Sequence, residues 1–159
     1  MDTFPLGGFI TIAILLPNLL ILFFPPIFKQ VNVSSPRFRF IHIMTVFERV
    51  GQIGSFTLPF FYRINCSTTL DFVSLLTIII TLSFYYVCWA RYLIEGRSEE
   101  LFYKSALNIP LPMAVMPVIY FISASILLGS IWLMIFAILL GVGHITVSWH
   151  TSRSGNISQ

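Results

Sequence analysis

IHIMTVFERVGQIGSFTLPFFY, residues 41–62, is an apolar run of membrane-crossing length that carries the adjacent charges Glu48 and Arg49. About 20 apolar residues suffice for a helix to cross the hydrocarbon layer. Whether this run crosses or lies on the surface sets the topology on both sides of it. Its Ile, Val, Leu and Phe side chains contribute about −0.3 to −0.6 kcal/mol each to insertion, whereas Glu and Arg near the centre cost about +2.5 to +3.5 each. The sum is near zero or above before Gln52 is counted. The run therefore stays in a bilayer only with partners for its polar side.

Four further apolar runs flank it, at 8–28, 72–93, 112–129 and 130–149. The last two form one stretch too long for a single crossing, and Gly129-Ser130 is where a tight hairpin divides it. The expectation is an all-α polytopic bundle of five transmembrane helices in a single domain over residues 1–159. A hydrophobic share of 57% with 9% charged residues leaves no length for a separate soluble domain.

The basic residues orient the bundle. With the N-terminus outside, Lys29, Arg37, Arg39, Arg91, Arg97, Lys104 and Arg153 face the cytoplasm, Arg63 faces outward and Arg49 lies in a span. If 41–62 lay on the surface, Lys29, Arg37, Arg39, Arg49 and Arg63 would oppose Arg91, Arg97, Lys104 and Arg153, which is no bias. The positive-inside rule selects five crossings, a cytoplasmic C-terminus and a cell-membrane location. It also accounts for the net charge of +3 without a nucleic-acid partner. Asp2, with no basic residue before the first run, argues against a cleavable signal peptide. An odd number of spans with no internal repeat argues against an inverted-repeat transporter.

Within 41–62 the polar residues share one side. At 100° per residue His42, Thr45, Glu48, Arg49, Gln52 and Ser55 fall in an arc of about 140°. Glu48 and Gln52 stack four apart, but Glu48 and Arg49 point about 100° apart and each needs another partner. Counted from the cytoplasmic ends of their spans, Glu48, Tyr86 and His144 lie at similar depth. Asn18 follows Pro17, which frees a carbonyl in the first span. Trp89 and Arg91 follow Tyr86 toward the same lip. The expected ligand-binding residues are therefore Glu48, Arg49, Gln52, His144, Asn18, Tyr86, Trp89 and Arg91, because intramembrane charge is functional by default.

Other chemistry is excluded by spacing. Cys66 and Cys88 show no metal-ligand pattern and lie too far apart along the membrane normal to pair. His42, His144 and His150 form no metal motif, and no P-loop or G-x-S-x-G is present, so neither metal nor cofactor is expected. In the connection 91–112, Ser98-Glu99-Glu100-Leu101 is expected to open a short amphipathic helix through Leu107, with Leu101, Phe102 and Ala106 toward the membrane. Arg91 and Arg97 beside it suit an anionic head group.

The expected function is binding or transport of a small amphipathic or lipid-like molecule in the cytoplasmic half of the bundle. The alternatives are a membrane-embedded enzyme using Glu48 or His144 as acid or base, and a non-catalytic subunit or assembly factor. Beyond the bilayer, the expected partners are a second copy of the chain or another membrane protein.

Overall fold

Prolines and glycines divide the apolar runs into helices. The computed structural model describes residues 6–26 and 38–156, so Asp2, Lys29 and Arg37 lie outside the described residues. The described chain is helical, without strands: α1 (Gly8–Leu15), α2 (Leu20–Phe23), α3 (Phe38–Thr57), α4 (Thr69–Ile94), α5 (Pro112–Leu127) and α6 (Ile131–Asn156). Turns of 3-10 helix run at Leu16–Leu19, Leu58–Phe61 and Glu99–Phe102.

Each boundary has a local cause. Pro17 lacks the N–H that would continue α1, so the chain tightens to a 3-10 turn before α2 resumes the same apolar course. Helix α4 starts with a capping box. The Thr68 hydroxyl accepts from the Asp71 N–H at 3.2 Å, and the Asp71 carboxylate accepts from the Thr68 N–H at 2.8 Å. Helix α5 ends in a Schellman motif: the Ser130 N–H bonds the Ser125 carbonyl, and Gly129 sits at φ +60°. Ser130 Oγ then accepts from the Leu133 N–H at 3.2 Å and opens α6. The stretch 112–149 is thus a helical hairpin.

Helix α5 is the centre of the fold, packed against α4 on one side and α6 on the other, and α6 in turn carries α3. Burial follows this order. Twelve of the sixteen α5 residues are buried, whereas α4 buries only a stripe at Ser74, Ile78, Thr81, Tyr85, Cys88 and Tyr92, with Trp89 beside it. That stripe has the i, i+3, i+4 spacing of one helix face. The opposite face of α4 exposes Phe72, Val73, Leu76, Ile79, Ile80 and Val87.

Two helices, α4 and α6, are long and apolar enough to cross a membrane unaided. The segments Gly8–Phe23 and Pro112–Leu127 are apolar but shorter. Helix α3 has 20 residues, and its charges keep it out of that class.

The expected amphipathic helix from Ser98 to Leu107 is not formed. Only Glu99–Phe102 turns, and Leu107, Asn108 and Leu111 adopt left-handed backbone that a helix cannot continue through. Leu101 is buried rather than facing outward, and Phe102 stacks on Tyr92 with ring centroids 4.7 Å apart. Packing on the aromatic end of α4 has overridden the amphipathic pattern.

Candidate functional site: a cavity beneath a broken helix

Glycines set the geometry of the site. A side chain on Gly143 would collide with the backbone of Met44 and Glu48, and one on Gly51 would meet the backbone of Leu140. Helices α3 and α6 therefore touch backbone to backbone, a contact only small residues permit. His144 follows Gly143, so its ring arrives beside Glu48: Nδ1 lies 2.7 Å from Oε1. Gln52 Nε2 donates to the same Glu48 oxygen at 3.4 Å, and Arg49 Nη1 donates to Gln52 Oε1 at 3.1 Å. Glu48 and Arg49 are adjacent in sequence and do not face each other, and Gln52 joins them. The Glu48 side chain is 13% exposed and the His144 ring 27%, so the pair is sheltered without being sealed.

The carboxylate also orients the imidazole. The neutral tautomer that donates Nδ1–H to Glu48 has Nε2 as an acceptor, whereas the imidazolium donates from both nitrogens. Arg49 and His42 occupy the exposed edge of the polar arc, while Ser55 is fully buried at its other edge.

The broken first helix closes the site from the opposite side, held by tyrosine hydroxyls. Pro17 deprives the Ala13 carbonyl of its helical donor, and Tyr86 OH supplies one at 2.9 Å. Asn18 Nδ2 donates to the Ile14 carbonyl at 3.0 Å, and Asn18 Oδ1 accepts from Tyr85 OH at 2.8 Å. Tyr120 OH donates to the Ile10 carbonyl at 2.7 Å, and Tyr92 OH to the Phe24 carbonyl at 3.0 Å. Long side chains thus bridge α4 and α5 to a helix whose own hydrogen bonding is interrupted.

Between these two constructions lies a cavity of about 200 Å³. It is lined by Ile14, Leu15 and Asn18 of the first segment, Gln52 and Phe56 of α3, Tyr85 of α4, Pro117 of α5, and Leu140 and His144 of α6. Every long apolar segment of the chain contributes. Pro117 lies inside α5, which runs through it unbroken, while Pro17 breaks the first helix nearby.

Of the residues singled out in the sequence, Asn18, Gln52 and His144 line the cavity, and Glu48 bonds two of them. Tyr86 is turned to the Ala13 carbonyl, and its neighbour Tyr85 takes the place at the cavity. Trp89 is buried among Tyr85, Tyr92 and Phe102. Arg91 is spent on Glu95 at 3.1 Å and on the Ser105 carbonyl, while Arg97 lies over the Phe24 ring, 5.9 Å from its centroid. Neither guanidinium lines the cavity. Tyr85, Phe56, Pro117 and Leu140 escaped the sequence reading. Pro117 carried a signal, a proline inside an apolar run, and Tyr85 another, the i, i+3, i+4 spacing of the α4 face it shares.

Burial, then the Glu99 carboxylate, push the Tyr103 phenol above its ordinary pKa, with a smaller contribution from Glu48 and an opposing hydrogen bond from Thr151. No protein-family model, curated protein or solved structure matches the chain.

Proposed function

We propose that the chain is a five-crossing bundle of the cell membrane, N-terminus outside, that binds or moves a small amphipathic molecule through the cavity beneath Pro17. The two short apolar segments and the charged α3 cross as members of the bundle, packed by the α3–α6 glycine seam and the α5–α6 hairpin. The observation that carries the reading is the convergence of Asn18, Gln52, Tyr85 and His144 on one cavity, with Glu48 behind them. Buried polar groups at membrane depth cost free energy unless partnered, and they mark functional paths.

The size of the cavity narrows the occupant. About 200 Å³ lies below the roughly 300–1,000 Å³ of pockets for drug-sized ligands. It suits a head group or a short molecule, with any longer chain lying elsewhere. The test is ligand-induced thermal stabilisation of the protein in phosphatidylcholine nanodiscs, with and without Leu140→Phe, which fills the cavity. Single-chain amphipaths are expected to stabilise the wild type and to lose that effect in Leu140→Phe. Equal stabilisation of both proteins, or of neither, removes the reading.

One geometric feature favours a second reading, an enzyme acting on a membrane-embedded substrate. A carboxylate that fixes the imidazole tautomer leaves Nε2 positioned as a general base. Under that reading Glu48→Gln abolishes turnover while affinity for the substrate survives. Loss of affinity alone favours binding.

A further inference from the structure

We infer that the face of α3 turned away from α6 docks a transmembrane helix of a different protein, one that carries a carboxylate at the depth of Arg49. The inference rests on α3 crossing the membrane as proposed above, and not on what fills the cavity. Three observations carry it.

The first is a seam. Helix α3 meets α6 through Gly51 and Gly54, which lie against Leu140 and Phe136. Roughly opposite Gly51 on the helix, at 100° per residue, His42, Val46, Arg49, Ile53 and Thr57 are all exposed. They recur at intervals of four and three, the spacing of a stripe along which one helix packs on another. Val46, Ile53 and Thr57 are β-branched and hold few rotamers, so a neighbouring helix takes little side-chain freedom from them.

The second is the guanidinium in the middle of that seam. Arg49 lies about 16 Å from the start of α3 and about 12 Å from its end at the helical rise. It donates to Gln52 Oε1 at 3.1 Å, a neutral acceptor one turn toward the outer end, so it is turned away from the inner surface. Gln52 is itself held by Glu48, and Glu48 by His144. This relay fixes the guanidinium in place. An exposed cation at membrane depth is costly until a carboxylate meets it, and the planar fork of arginine takes one bidentately.

The third is where the acids of this chain stand. Of its six, Asp2 precedes the first apolar run, Asp71 caps the start of α4, and Glu95, Glu99 and Glu100 lie beyond the last residue of α4. Glu48 is the one at the level of Arg49, and it is turned to His144 of α6. A second copy packed across a two-fold axis along this seam would set Arg49 against Arg49. The carboxylate therefore comes from another chain, an apolar helix with one Asp or Glu near its middle.

The test uses the full-length protein in phosphatidylcholine nanodiscs and two synthetic probes, lysine-flanked Leu-Ala transmembrane peptides that differ only in a central Glu or Gln. Association is read as energy transfer from the protein's tryptophans to a dansyl group on the peptide. Expected is association of the Glu peptide about tenfold tighter than that of the Gln peptide, with no preference left in Arg49→Leu and part of it kept in Arg49→Lys. A photo-crosslinking p-benzoylphenylalanine at Ile53 is expected to capture the Glu peptide, and one at Ile79, on the exposed face of α4, is not. Equal association of the two peptides, a Glu preference that survives Arg49→Leu, or equal capture at positions 53 and 79 overturns the docking face. Loss of the preference when phosphatidylglycerol replaces phosphatidylcholine assigns Arg49 to lipid phosphate and overturns it too, as does self-association of the protein that Arg49→Leu abolishes. Labelling of Cys66 from outside intact cells reports the crossing separately. An unlabelled Cys66 removes the crossing, whereas a labelled Cys66 with peptides that do not differ removes the docking face alone.

Discussion

Glu48 is held by two donors from two helices, His144 Nδ1 and Gln52 Nε2, and its charge is more consequential than its shape. Glu48→Gln keeps an oxygen able to accept both hydrogen bonds and removes the charge. Because the site is partly exposed, the expected change in stability is within about 1 kcal/mol. Amphipath binding is expected to weaken at least tenfold, read by thermal shift in nanodiscs. Gly143 behaves in the opposite way. Any side chain there meets the α3 backbone, so Gly143→Val should cost about 3 kcal/mol or more by prising α3 from α6. Gly129→Ala meets open space and pays only for its φ of +60°, about 1 kcal/mol. Denaturant unfolding of the two variants separates a packing glycine from a turn glycine.

The first helix shows how one residue's defect becomes an element's attachment. Pro17 leaves the Ala13 carbonyl open, and the Tyr86 hydroxyl fills it from α4. Tyr86→Phe should therefore cost about 1 kcal/mol in the native chain. In a Pro17→Ala background the restored N–H of residue 17 already serves that carbonyl, and Tyr86→Phe should cost much less. A double-mutant cycle is expected to give a coupling of about 1 kcal/mol. Additive costs would mean that the proline and the tyrosine act independently. Helix α4 needs no such help at its start, where Thr68 and Asp71 satisfy each other. Thr68→Ala is expected to lose about 1 kcal/mol with the cavity unaffected.

At the scale of the whole molecule the question is whether α3 crosses. If it does, Cys66 lies outside and Gly96 lies in the cytoplasm. If α3 lies along the surface, Cys66 lies inside and residue 96 outside. In intact cells a membrane-impermeant maleimide is expected to label Cys66 directly, and Gly96→Cys only after permeabilisation. Cys88, buried on α4, should stay unlabelled in both. The reverse pattern at the two positions would overturn the five-crossing topology with its N-terminus outside.

Local rules carried the reading of this chain a long way. The apolar runs, the breaks at Pro17 and Gly129 and the polar arc of α3 follow from insertion energy, missing backbone donors and helical period, all properties of neighbouring residues. Position along each apolar run was also countable, and it sets Glu48 and His144 at similar distances from the ends of their runs. Azimuth was not countable. Tyr85 and Tyr86 are at nearly one depth and point about 100° apart, and only the packing of α4 on α5 selects which of them faces the cavity. The same packing buries Trp89 in an aromatic cluster and commits Arg91 to Glu95 and Ser105. The glycine seam that brings His144 to Glu48 joins residues nearly a hundred positions apart. No local preference specifies such a meeting, because it depends on how closely two helix backbones approach once every other contact has been made.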